Sequence, residues 1–182
     1  LLLLPQTTFS QQPNGKYTIV IHGGAGSMDP NLEETSKQAY INSLTTALNI
    51  GKKILEDGGN SLDAVEQVIR YLEDDSLFNA GRGAVFTSAG TVVLDASIMD
   101  GRDLSSGAVA GVTIIKNPIS LARLVKEKTS HVLFAGKGAD ELGIKLGVEI
   151  VDPSYFLVYE RYEELKKMLD KSKGTVGCVA ID

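Results

Sequence analysis

The chain has 182 residues, a net charge of −5, 43% apolar and 23% charged side chains, which is the composition of a globular domain and not of a disordered one. Its 18 basic residues are scattered, with pairs only at Lys52-Lys53 and Lys166-Lys167, so neither nucleic acid nor an anionic membrane is an expected partner. No apolar run approaches the roughly 18 residues of a membrane span, and the single cysteine, Cys178, excludes an internal disulfide.

Residues 1–16 open on four leucines and then turn polar. They are expected to form a flexible N-terminal segment, either the tail of a signal-peptide h-region with a linker or a disordered terminus. That leaves the compartment open between the cytoplasm and a periplasmic or secreted location. "KYTIVIH" (16–22) is a β-branched run bounded by Asn14-Gly15 and Gly23-Gly24, predicting a buried strand. Across 31–56, Tyr40, Leu44, Ala47, Leu48, Ile54 and Leu55 recur at helical spacing, and Gly58-Gly59 stops that helix. Asn60 or Ser61 caps the next one, which places Leu62, Val65, Ile69 and Leu72 on one face.

Residues 84–99 predict a hairpin about Ser88-Ala89-Gly90, and 107–116 a third strand, apolar on both faces and therefore deep. Asn117-Pro118 opens a helix to about Lys128. Beyond it, 131–136 is strand-like, 139–146 a short helix, 153–169 one amphipathic helix, and 175–181 a last strand. Helix pairs and hairpins in blocks, with few β-α-β alternations, predict an α+β layering of helices over sheets.

Several familiar chemistries fail on detail. "HGGAG" (22–26) follows a predicted strand, but no Lys followed by Ser or Thr makes it a phosphate loop, and the third glycine of a dinucleotide fingerprint is absent. Its glycines still permit close backbone approach, either to a ligand or as a plain strand-end turn. His22 and His131 are the only histidines, too few with one cysteine for a zinc site, and no G-x-S-x-G accompanies a serine triad. Asp95 and Asp100 invite an acid/base pair. Their simpler reading, which we favour, is a buried, hydrogen-bonded Asp95 and a turn-capping Asp100-Gly101.

"LEDDSLFNAGRGAVFT" (72–87) is the richest stretch. Carboxylates at a helix C-terminus oppose the macrodipole, so something must compensate, and inward-turned carbonyls around a monovalent cation would do so. Asn79 beside Gly81 and Gly83 reads as a polar group on bent backbone.

Near the end stands Gly174-Thr175. A threonine hydroxyl is a poor nucleophile without a neighbouring base. Were the bond before Thr175 cut, its new α-amine, with a pKa of roughly 7.7–8.0, would lie beside its own hydroxyl. The preceding glycine, lacking a Cβ, leaves its carbonyl open to attack by that hydroxyl.

Taken in order, "IHGGAG", "GNSLDAVEQVIRYLEDDSLFNAGRGAVFT", "LDASIMDG", "GAVAGVTIIKNPISLARLV" and "GTVGCVAID" resemble the plant-type (type 2) L-asparaginases and isoaspartyl aminopeptidases. These are N-terminal nucleophile (Ntn) hydrolases, related to the glycosylasparaginases. The resemblance implies a four-layer αββα sandwich, of which this chain carries the N-terminal part. Residues 17–174 would belong to the α subunit and 175–182 would start the β subunit.

It also implies hydrolysis of L-asparagine or isoaspartyl dipeptides, with glycosylated asparagine as the alternative substrate, and no required cofactor. Thr175 matches the family's nucleophile, and Gly174–Thr175 the self-cleaved bond. His22, Gly23, Gly24 and Gly26 match a glycine-rich segment beside the nucleophile, and Asn79 an asparagine near it. Leu72, Glu73, Asp75, Phe78, Ala80 and Arg82 match positions whose main-chain oxygens hold a structural sodium ion. The family assembles as a dimer of αβ units and continues well past this threonine strand, where its oxyanion donors and substrate-gripping residues lie. With Thr175 still joined to Gly174, the chain as written is expected to be inactive.

Overall fold

The computed structural model of the chain describes residues 17–24 and 31–171. The 1–16 segment, Gly26, Gly174, Thr175 and the expected strand 175–181 lie outside the described residues. Within them the fold is α+β, with five α-helices and one three-stranded sheet.

Helices α1 (Glu34–Glu56) and α2 (Ser61–Asp74) form the first layer. Gly58, at φ 86°, lets the chain reverse, and the Asn60 side chain accepts the Asp63 N–H at 3.0 Å to start α2. Their contact buries Ala47, Val68 and Leu72 with Phe78. Ile19 and Ile21 cover that cluster, and Gly51 gives Ile19 and Val68 the space to meet. Two expectations change here. Segment 17–24 packs Ile19 and Ile21 on the two helices without strand pairing among the described residues, and leaves Val20 86% exposed. On α2 the buried valine is Val68, at 3% exposure, whereas Val65 is 43% exposed.

The sheet contains β1 (Leu94–Met99), β2 (Ser106–Val112) and β3 (Leu133–Ala135) in that order. The first pair is antiparallel and the second parallel, which requires a crossover. That crossover is α3 (Pro118–Lys128), opened by proline as predicted. A Cβ on Gly107 would collide with the Ala122 carbonyl oxygen, so the glycine allows α3 to rest directly on β2. Val109, Val112, Ile115, Leu121 and Val125 are buried between them with Phe156.

The face of β2 away from α3 is not deep, contrary to the both-faces expectation. It carries small, half-buried Ala108 and Ala110, flanked by Met99 at 56% and Leu133 at 55% exposure. In the predicted hairpin the turn forms, with Thr87 N–H donating to Thr91 O at 2.8 Å, but only the second arm becomes a strand.

Helix α4 (Gly136–Leu146) starts before the expected residue 139 and ends at left-handed Gly147. The single helix expected over 153–169 is two elements. A 3-10 turn, Pro153–Phe156, is capped by Asp152, and extended Leu157 separates it from α5 (Tyr159–Lys171). No described helix is long and apolar enough to cross a membrane.

Candidate active site

The end of α2 carries Glu73, Asp74 and Asp75, three carboxylates facing the negative end of a helix. Each is compensated by donors from a different element. The Glu73 side chain, only 3% exposed, accepts the Ile119 N–H at 3.0 Å through Oε1, placing it at the positive end of α3. Its Oε2 is buried with no hydrogen-bond partner among the described residues. Burial pushes this carboxyl up to about 8, against the opposing pull of the Ile119 N–H and the Asn117 side chain. Asp74 accepts from Asn117 Nδ2 at 3.2 Å and from the Tyr155 hydroxyl at 3.4 Å. Asp75 turns extended, ends the helix, and accepts the Ser43 hydroxyl and the Leu77 N–H. The Asp74 and Asp75 side chains are therefore met by protein donors, whereas Glu73 is met at one oxygen only.

The carbonyls of the following loop are a separate matter. Gly81 adopts φ 50°, and a Cβ on it would strike the Glu73 carbonyl oxygen. At Gly83 a Cβ would strike those of Phe78 and Ser76. Main-chain oxygens of Glu73 and Phe78, both in the sequence-derived ligand set, are thus folded inward against the glycine pair. Within the same set, Asp75 O accepts the Phe78 N–H at 3.4 Å and Ala80 O the Gly83 N–H at 3.0 Å. Leu77, which is outside that set, directs its oxygen to Tyr40 Oη at 3.2 Å and Arg161 Nη2 at 3.3 Å. Inward oxygens on glycine-bent backbone suit a hard monovalent cation; Leu72 lies buried at the loop's entry, and the Arg82 guanidinium covers the Tyr155 ring at 5.6 Å.

Asn79 is exposed, and its Oδ1 accepts the Val85 N–H at 2.9 Å, closing the loop across both glycines. Phe78 joins this loop to the glycine-rich segment. A Cβ on Gly23 would come within 3.0 Å of Leu44 Cδ2 and 3.3 Å of Phe78 Cε1, so the segment lies close against both side chains. His22 Nδ1 accepts the Gly24 N–H at 3.2 Å, with Gly24 at φ 115°. Gly23 is therefore brought against Phe78 of the Asn79 loop, while His22 and Gly24 are exposed beside it. Gly26, Gly174 and Thr175 lie outside the described residues.

The two aspartates are structural. Asp100 binds Arg102 through a fork at 3.0 and 2.6 Å, which holds its carboxyl well below the usual carboxylate range. Asp95 accepts the Gly111 N–H at 2.7 Å as expected, but it is exposed where a buried position was expected, because the strand's alternation puts it with Ser97 and Met99 on the open face. His131 stacks edge-on against Phe134 at 5.3 Å. Sequence reasoning missed Arg161, whose Nε donates to Gly83 O at 2.8 Å. In the acidic, helical "YERYEELKK" it reads as one more solvated charge, and only the fold reveals its partners.

The described residues thus form an α+β arrangement, a pair of packed helices and a three-stranded sheet backed by α3, with a glycine-bent loop at the end of α2. The sequence profile of the asparaginase family matches residues 15–182, and the chain belongs to that family, in its plant-type asparaginase and isoaspartyl peptidase branch. A Dictyostelium discoideum relative is 47% identical over 161 residues, covering 88% of this chain and 46% of its own. The Escherichia coli K12 "Isoaspartyl peptidase" is 42% identical over 185 residues, covering 92% and 58%. The human "Isoaspartyl peptidase/L-asparaginase" is 44% identical over 179 residues, covering 90% and 56%. The chain thus spans about half the length of the relatives it matches.

Proposed function

We propose that the protein containing this chain is a self-cleaving threonine amidohydrolase acting on L-asparagine and β-aspartyl dipeptides. The observation that carries this is a family match whose span, residues 15–182, includes Gly174-Thr175, with relatives whose names give both activities. Those names do not favour a glycosylated asparagine substrate.

In the first stage the Thr175 hydroxyl attacks the Gly174 carbonyl carbon. The acyl group moves from nitrogen to oxygen, and water hydrolyses the ester. This leaves a Gly174 carboxylate, a regenerated hydroxyl and a free Thr175 amine. In the second, that hydroxyl attacks the side-chain amide carbon of the substrate while its proton passes to the α-amine. Collapse of the tetrahedral intermediate breaks the C–N bond, and the amine delivers the proton to departing ammonia or amino acid. Water then cleaves the β-aspartyl ester to release aspartate. Donors on the C-terminal half would stabilise the oxyanion, and Asn79 would line the nucleophile from this half.

A sodium ion held by main-chain oxygens of Leu72, Glu73, Asp75, Phe78, Ala80 and Arg82 would offset the mutual repulsion of inward carbonyls. The open sheet face with Met99, Ala108 and Leu133 supports a second sheet stacked on it. That sheet would come from the protein's own β half, completing the four-layer αββα sandwich, and two αβ units would form the dimer. Thr175→Ala in the full-length protein tests the reading. Both chain cleavage and ammonia release from asparagine should fall to background, and turnover above background in that variant would remove Thr175 from its role.

A further inference from the structure

Arg161 stands in the first turn of α5 with its side chain 18% exposed. Nε donates to Gly83 O at 2.8 Å, Nη2 to Leu77 O at 3.3 Å, and Nη1 to Glu164 at 3.1 Å. The two carbonyls lie on either side of Asn79. A guanidinium is a rigid planar fork, so it fixes their separation as a single point donor cannot. The loop itself is closed by bonds between neutral groups: Gly83 N–H to Ala80 O at 3.0 Å, Ala84 N–H to Gly81 O at 3.2 Å, and Val85 N–H to Asn79 at 2.9 Å. Helix α5 then runs to Lys171, shortly before Gly174.

We propose that Arg161 is a positioning residue, whose forked guanidinium fixes the mouth of the Asn79 loop to the helix leading into Gly174–Thr175. The kinetic part of this inference rests on the threonine reading above; the clamp itself does not.

Arg161→Met keeps the apolar stem and removes the fork, while Arg161→Lys keeps the charge on a single donor. In the full-length protein, the Gly83, Ala84 and Val85 amides of Arg161→Met should exchange at least about tenfold faster. The Ala108 amide, bonded to Val132 O in the sheet, should be unchanged. Self-cleavage should slow by at least about tenfold, with partial recovery in Arg161→Lys. Unchanged loop amides overturn the clamp. Equal loss at the loop and at Ala108 also overturns it, since Arg161 would then support the fold in general. If the parent protein neither cleaves nor releases ammonia, the threonine reading fails, and amide exchange still decides the clamp.

Discussion

The β2–α3 contact and the loop 75–83 both depend on glycine to let two stretches of main chain touch, and they are held in opposite ways. At Gly107 the approach draws apolar side chains together, and Val109, Leu121 and Val125 lose nearly all contact with water. Burial on that scale is non-directional and large, at roughly 25 cal/mol per Å². At Gly81 and Gly83 the approach instead packs the carbonyl oxygens of Glu73, Ser76 and Phe78 against the glycines, and the loop is held by directed bonds: Tyr40 and Arg161 to Leu77 O, Arg161 to Gly83 O, and the Val85 amide to the Asn79 side chain. The first region makes the fold persist. The second aims polar groups, at the cost of packing oxygens that repel.

This contrast is sharpest under substitution. Gly107→Ala should lift α3 off the sheet and destabilise the protein by about 3 kcal/mol, read as a fall in the urea midpoint. A change below about 1 kcal/mol would mean that the close approach is not where the stability lies.

Glu73 bridges the two regions, and its pH behaviour separates them. Its carboxyl rises from 4.5 to about 8, so the folded state holds this proton more tightly than the unfolded chain does. The contribution is therefore complete below the ordinary carboxylate value and is lost as pH rises through about 8. Glu73→Gln should flatten that decline, a difference on the order of a few kcal/mol at most. Identical stability-against-pH curves for parent and variant would place the ionised carboxylate in a better-solvated setting than the fold provides.

A smaller effect belongs to the loop alone. If inward carbonyls hold sodium, exchanging sodium chloride for choline chloride should lower Tm by a few degrees, corresponding to roughly 1 kcal/mol. Gly83→Ala, by filling the cradle, should abolish that difference. A sodium response that survives Gly83→Ala would assign the ion to another place.

Much of the core region was legible in sequence, because its signals are local. Asn60 and Pro118 mark helix starts through local chemistry, a side-chain cap and a fixed φ, whereas Asn117, expected as a cap, makes none and donates to Asp74 instead. Segment 17–24 misled because a β-branched run looks the same whether it pairs or simply packs on helices. Residues 153–169 misled because aromatic spacing persists across the break at Leu157. Of the site, the glycine-bent loop and Asn79 could be read from composition and resemblance. Buried Glu73 and the clamp from Arg161 could not, since Ile119, Asn117 and Gly83 become their partners only through folding.

The central claim is that Thr175 gains its base by scission of the bond before it. Mass spectrometry of the full-length protein through a prolonged incubation tests this most directly. Two products should accumulate, one ending at Gly174 and one beginning at Thr175, with ammonia release from asparagine rising in step. A polypeptide that stays whole throughout and still deaminates asparagine would contradict the account.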